Sequence, residues 1–186
     1  MKYTIIHDCP DPMGQDILRY MQDSFKGIEG LQFIDLQSHP MEPCTGCFNC
    51  WLKTPGLCIF HDAAADIVKE IVNSDRVLFL NPLTWGAYSP QLKILLDRSL
   101  CRVLPFFETH KGETHHPSRY EKSPIPFLAG YGADLDQDEM ELFKSTGQNL
   151  NDNLHKTGME TVIIRNRDDF HLLDSFAGTK SMGGAA

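Results

Sequence analysis

The feature that most constrains this chain is an alternation: short apolar, β-branched runs separated by stretches of helical period. Residues 2–7, 31–36, 77–80, 125–130 and 161–164 read as strands. Between them, 14–26 puts Ile17, Leu18, Met21 and Phe25 on one helical stripe, and 62–73 does the same with Ala64, Ile67, Val68, Ile71 and Val72. Ser89-Pro90 opens a third helix, serine capping the free amides and proline suiting the first turn, with Leu92, Leu95, Leu96 and Val103 as its buried stripe. Asp136 and Glu139 have capping-box spacing for a helix ending near Lys156, with Gly158 as its C-cap. Parallel neighbours need crossovers of helix length, so this order predicts an α/β protein: a three-layer, doubly wound, parallel five-stranded sheet. The run 77–80 is apolar at every position, as a central strand should be. Pro126 suits its strand poorly, because it donates no amide to a ladder.

Residues 1–177 read as one domain, 178–186 as a frayed tail, and 105–123 as a long loop. There is no run of 18 apolar residues, so no membrane span is expected. A net charge of −8 argues against nucleic acid as a partner, since phosphates would be repelled over most of the surface. The chain starts on a strand pattern rather than a signal peptide, which makes a reducing cytoplasm the expected location and thiols or ligands the expected state of its cysteines. In doubly wound sheets, ligands bind beyond the carboxyl ends of the strands, where strand order switches. The segments 8–14, 37–60, 81–90 and 130–136 therefore frame the expected site.

The second of those segments carries four of the six cysteines, Cys44, Cys47, Cys50 and Cys58, at spacings of two, two and seven intervening residues. Three cysteines at x2 spacing are typical of iron–sulfur ligation, which a [4Fe-4S] cluster would use. Structural zinc more often takes two separated Cys-x2-Cys pairs. Inert or redox-labile thiols in a tight turn at Gly46 are a third reading. Cys9 and Cys101 read as core thiols.

The third segment, Asn81-Pro-Leu-Thr-Trp-Gly-Ala-Tyr-Ser-Pro-Gln-Leu-Lys93 running on to Asp97-Arg98, resembles the Pro-x-Tyr-x-Gly…Lys…Asp-Arg signature of the NAD(P)H-dependent FMN reductase and iron–sulfur flavoprotein families, whose fold is flavodoxin-like. The preceding cysteine loop and the strand from Asp75 to Leu80 match as well. The resemblance implies FMN as cofactor, NAD(P)H as co-substrate, a small-molecule electron acceptor and a homodimer. It implies that Pro82, Leu83, Thr84, Trp85 and Gly86 line the flavin edge, with Ser89 beside them and Tyr131 and Gly132 after the fourth strand. Thr84 stands where relatives carry tyrosine, and Trp85 is the nearby aromatic face. No side chain is assigned as catalytic, because in such chemistry the flavin is the reactive group.

The segment after the first strand departs from those relatives. They hold the FMN phosphate with amides and hydroxyls at a helix N-terminus. Here His7-Asp-Cys-Pro-Asp-Pro-Met-Gly14 supplies two prolines and two carboxylates, Asp8 and Asp11, each repelling a phosphate by roughly 1 kcal/mol or more. His110, Glu113, His115 and His116, with Arg119 and Tyr120, form a second polar cluster. It could bind metal, bring a cation to flavin N1 or a nucleotide phosphate, or serve as a solvated or subunit-contacting surface. Three functions follow: an oxidoreductase passing electrons from NAD(P)H through FMN to a flavin, quinone or similar acceptor; an electron carrier with FMN and a cluster; or a flavodoxin-like binding or sensor module that has lost FMN.

Overall fold

A computed structural model describes residues 1–154 and 159–178. In chain order its elements are β1 (Tyr3–His7), α1 (Pro12–Ser24), β2 (Leu31–Asp35), α2 (Asn49–Leu52), α3 (Ala63–Asn73), β3 (Arg76–Pro82), α4 (Pro90–Arg98), β4 (Glu108–His110), β5 (Glu113–His115), β6 (Ile125–Tyr131), α5 (Gln137–Asn153) and β7 (Glu160–Ile164). Five strands form one sheet in the order β2-β1-β3-β6-β7, every pair parallel. The chain steps from β1 outward to β2 and then back to β3, so strand order reverses between β1 and β3, and that gap is the switch point. The expected doubly wound α/β sheet is thus present.

Period-two alternation splits the sheet's side chains between two cores. Ile5, Leu78, Leu80, Phe127 and Ala129 pack with α1 and with Phe170, Leu173 and Phe176. Ile6, Val77, Phe79 and Leu128 pack with α3, α4 and Phe143 of α5. Phe170, Leu173 and Phe176 come from a 3-10 segment, Arg167–Ala177, that periodicity at 3.6 residues did not reveal. It replaces a final α-helix as the second cover of that face, and Tyr20 of α1 donates to Asp174 within it.

Pro126 fits because of where its missing amide would point. The Ile125 amide donates to Asp75 on the β3 side, so alternation turns position 126 towards β7, whose pairing begins only at Phe127 opposite Glu160. Three expectations need correction. The α1 helix starts at Pro12, two residues early, because Asp11 caps it. The α4 helix ends at Arg98, so Val103 lies beyond a 3-10 turn and outside the helical stripe. Residues 105–123 are not a plain loop: β4 and β5 form an antiparallel hairpin inside them. The proposed helix end at Lys156, the Gly158 cap and the tail from 179 onward lie outside the described residues. Among the described residues, no helix is long and apolar enough to cross a membrane.

Candidate functional site

Three of the four expected segments meet at the carboxyl edge of the sheet. After β1 the chain reaches Asp11, whose extended backbone and carboxylate cap α1 by accepting the Gly14 amide at 2.9 Å. Tyr131, at the end of β6, enters from the side and donates its hydroxyl to the other oxygen of Asp11 at 2.8 Å. Gly14 makes room for it: a Cβ there would stand 2.8 Å from the Tyr131 ring and 2.8 Å from the Cys9 side chain. Burial pushes the Tyr131 hydroxyl far above its ordinary pKa, with the Cys9 and Asp11 charges adding to the effect, so it stays a proton donor. Asp8 is buried and accepts from Gln37. The amino end of α1 is therefore already filled from within, by a carboxylate and a phenol. Asp11 does more than repel a phosphate; it holds the amide a phosphate would need.

This corrects two assigned positions. Tyr131 is 2% exposed and committed to Asp11, so it offers no face to a cofactor. The Gly132 amide donates to Ile164, and its open side is closed by Leu135.

The segment after β3 is more open. Asn81, buried at the strand end, accepts the Ser89 amide at 2.7 Å, and the Ser89 hydroxyl caps α4 by accepting the Leu92 amide. Ser89 is buried and used up structurally. Leu83 donates its amide to the Tyr131 carbonyl and lays its side chain over Gly130, and half-buried Pro82 ends the strand. Thr84 and Ala87 then exchange two backbone hydrogen bonds, 3.2 and 3.0 Å, around a two-residue turn. Trp85 (φ 49°) and Gly86 (φ 70°) occupy that turn, the positive pair of a type I′ hairpin. Gly86 is buried against α5, where a Cβ would come within 2.9 Å of the Glu139 carbonyl. Its lack of a side chain serves that packing rather than approach by a ligand. Trp85 is the product of this turn: a left-handed tryptophan, 86% exposed, with a flat ring beyond the carboxyl end of β3. Holding a non-glycine residue there costs roughly 1–3 kcal/mol, the kind of strain that collects at functional sites.

The cysteine loop packs elsewhere than expected. All four sulfur-bearing residues line one small cavity of about 20 Å³, but its far wall is the end of α4, Asp97, Arg98 and Leu100, rather than the 82–86 turn. Cys44 and Cys47 are exposed, Cys50 and Cys58 half-buried, and all six cysteines are free. Burial raises the Cys50 pKa, with neighbouring Cys58, Cys44 and Cys47 adding to it, which reflects their convergence. Arg98 anchors the loop: its guanidinium pairs with Asp62 at 2.8 and 2.9 Å, donates to the Glu42 carbonyl at 2.6 Å and lies over the Phe60 ring. Burial opposes its charge, but Asp62, aided by Cys58, outweighs burial and raises its pKa.

The donor chemistry of these thiols suits an iron–sulfur cluster. The enclosed space suits a water-sized occupant, so a cluster would need the exposed limb around Gly46 to swing outward. Among the described residues, no three His, Cys, Asp or Glu side chains stand close enough to hold one metal ion.

The histidine cluster resolves into separate roles. His110 and His115 meet edge-to-face within the β4–β5 hairpin, and His116 packs between Trp51 and Phe107. Arg119 donates to the carbonyls of Cys101 and Val103, which ties it to the end of α4. It is a strut of the fold, not a mobile cation. Sequence reasoning missed Trp51, whose indole donates to Val103 and Leu100 and stacks with Phe48; its position beside the cysteines was the available signal.

A parallel sheet of order β2-β1-β3-β6-β7 with an aromatic-tipped turn beyond β3 places the molecule in the flavodoxin-like class of α/β proteins. The chain belongs to the NADPH-dependent FMN reductase family, whose family model matches residues 1–117. It is 34% identical over 103 residues to an iron–sulfur flavoprotein of Methanocaldococcus jannaschii. That match covers 53% of this chain and 52% of the relative, so the chain spans about half of that protein's length. The fold is shared with an FMN-dependent NADH-azoreductase from Bacillus anthracis solved with FMN, at 12% identity, a TM-score of 0.66 and coverage of 96% and 98%. It is shared too with an NAD(P)H:quinone oxidoreductase from Methanothermobacter marburgensis, at 12% identity, a TM-score of 0.64 and coverage of 94% and 93%. The expected family and fold are borne out.

Proposed function

We propose that this protein is a flavin-dependent oxidoreductase that carries electrons from NAD(P)H through FMN to a flavin, quinone or similar small acceptor. The observation that carries this reading is the strained Trp85–Gly86 turn, which displays an indole beyond the carboxyl end of β3. A bound flavin would supply the hydride-accepting ring. The residues fit that ring and do not fit its phosphate. Trp85 offers a stacking face, and the backbone of Pro82–Gly86 borders it. The amino end of α1 offers no anion site, since Asp11 and Tyr131 occupy it. The flavin is then held chiefly through its ring system, in one domain over residues 1–177. Six free cysteines agree with a reducing cytoplasm. A homodimer is the proposed assembly, by resemblance to the family.

A second reading is supported by the convergence of Cys44, Cys47, Cys50 and Cys58 on one cavity and by the iron–sulfur relative: an electron carrier with FMN and a [4Fe-4S] cluster. Anaerobic purification with an absorbance spectrum, iron and sulfide assays, and NAD(P)H oxidation with added FMN separates the two. Flavin with catalysed NAD(P)H oxidation and no iron supports the first reading. Flavin with stoichiometric iron and sulfide supports the second. A colourless protein that neither takes up flavin nor oxidises NAD(P)H overturns both.

A further inference from the structure

Beyond α4 the chain leaves the sheet as an arm and returns to it. The amide of Leu104 meets the Pro117 carbonyl and that of Arg119 meets the Arg102 carbonyl, both at 2.9 Å. The arm ends in the β4–β5 hairpin, whose turn at Lys111 and Gly112 has positive φ at both positions. Lys111 then pairs with Asp152 of α5, so the arm bridges from α4 to α5. Between these elements lies a cavity of about 510 Å³ with an apolar side of Phe79, Leu96, Leu100, Val103, Leu150 and Leu154 and a polar side that includes His116, three serines and Asn153, with Cys44 and Gly46 of the cysteine loop at its border. That volume falls in the range of small-molecule sites.

Among the polar wall residues, Arg102 stands out. Arg102 lines the cavity, is only 9% exposed, and its Nε is buried with no hydrogen-bond partner. Among the described residues, no carboxylate pairs with it. Arg98, one turn earlier, makes the contrast: its Nε is likewise unpartnered, but its terminal nitrogens reach Asp62 and the Glu42 carbonyl and its guanidinium lies over the Phe60 ring. Asp97, also on the cavity wall, is engaged by Lys93 at 2.6 and 2.7 Å. Burial without a counter-charge lowers the Arg102 pKa, which makes the charge costly where it stands. A guanidinium so placed is satisfied by an anion from outside.

We propose that this cavity binds a small monoanionic carboxylate with an apolar body, forked by Arg102 and packed against Phe79 and the leucines. A planar carboxylate matches the guanidinium fork in two parallel hydrogen bonds. A dianionic phosphate suits the site less well, since one arginine stands beside Asp97, and half the wall is apolar, in a protein of net charge −8. This site is independent of the flavin reading and lies away from the Trp85 turn.

The test is calorimetric titration of the full chain with 2-naphthoate and its neutral isostere 2-naphthamide. Naphthoate should bind at least tenfold more tightly, about 1.4 kcal/mol. Arg102→Met should abolish that preference, leave naphthamide affinity within about twofold, and melt no lower than wild type, since replacing an unpaired buried charge by an apolar group is neutral or stabilising. Should that variant fail to fold, Leu150→Trp, which fills the cavity, must weaken both probes. Equal affinity for the two probes, binding of neither, undiminished naphthoate binding in Arg102→Met or Leu150→Trp, or displacement of bound flavin by naphthoate would each overturn the proposal.

Discussion

Asp11→Ser is the substitution that best separates the two halves of the candidate flavin site. Serine is as good an N-cap as aspartate, so the Gly14 amide keeps an acceptor and the helix loses at most a few tenths of a kcal/mol. The Tyr131 hydroxyl loses its charge-assisted bond, about 1.5–3 kcal/mol. The Asp8 carbonyl, 3.4 Å from the same hydroxyl, recovers part of that, so a net loss of about 1–2 kcal/mol is expected. The gain falls on ligand binding. A phosphate at the amino end of α1 would stand about 4 Å from the Asp11 carboxylate, where like charges repel by about 4 kcal/mol at a surface-type dielectric and about 1 kcal/mol in bulk water. Asp11 is half-exposed, so the relief lies between these limits, about 1–3 kcal/mol, or roughly 5- to 150-fold in affinity. FMN should therefore bind Asp11→Ser more tightly by that factor, while riboflavin affinity stays unchanged. In the wild type the two flavins should bind within about tenfold of each other. Flavin fluorescence titrations at low and high salt provide the measurement, and the FMN gain should shrink with salt as screening grows. An FMN-to-riboflavin ratio that is the same in both proteins would refute the placement of the phosphate.

Three further outcomes are expected. Arg98→Ala strands Asp62 and the Glu42 carbonyl beside the cysteine loop and should cost about 3–5 kcal/mol in urea denaturation; a loss below about 1 kcal/mol would show that the pair does not anchor the loop. His7 has its pKa held below 6.5 by burial, against the opposing charges of Asp35 and Asp8, so the unfolded chain takes up its proton first. Its contribution to stability is present above pH 6.5 and is lost as pH falls towards the folded value, so the stability gap between wild type and His7→Gln should narrow with acidification; a constant gap would contradict this. In iodoacetamide labelling followed by peptide mass spectrometry, Cys47 should react first, since it is exposed and the Asn49 amide leads the contacts that lower its pKa. Cys101, pushed up to about 11 mainly by burial, should lag with Cys9; early labelling of Cys101 would show that the α4 end is open, and of Cys9 that the β1–α1 segment is.

Some of the site was legible in the chain itself. The apolar run at 77–80 and the stripes of α1 and α3 carry their own period, so strand and helix identity needed no tertiary information. Asp136 and Glu139 form the capping box their spacing implied. The motif from Asn81 to Arg98 pointed to the turn that displays Trp85. Ser89, Tyr131 and Gly132 looked equally suitable for a cofactor, yet Ser89 and Tyr131 spend their polar groups inside the fold. A hydroxyl's partner depends on which strand end arrives beside it, and no local pattern records that. The β4–β5 hairpin stayed hidden because strands of three residues show too little alternation to separate from loop.

Local pattern by itself determined the order of the elements, the parallel sheet and the family, because periodicity, caps and a contiguous motif act over neighbouring residues. Tertiary structure alone decided the rest. It brought Tyr131 across 120 residues to Asp11, filling the anion end of α1. It set the four cysteines against Arg98 rather than the Trp85 turn. It also left Arg102 facing a cavity while Arg98, four residues earlier on the same run, found Asp62. The two arginines cannot be told apart in sequence, because whether a buried charge meets its counter-ion depends on which distant segment packs there.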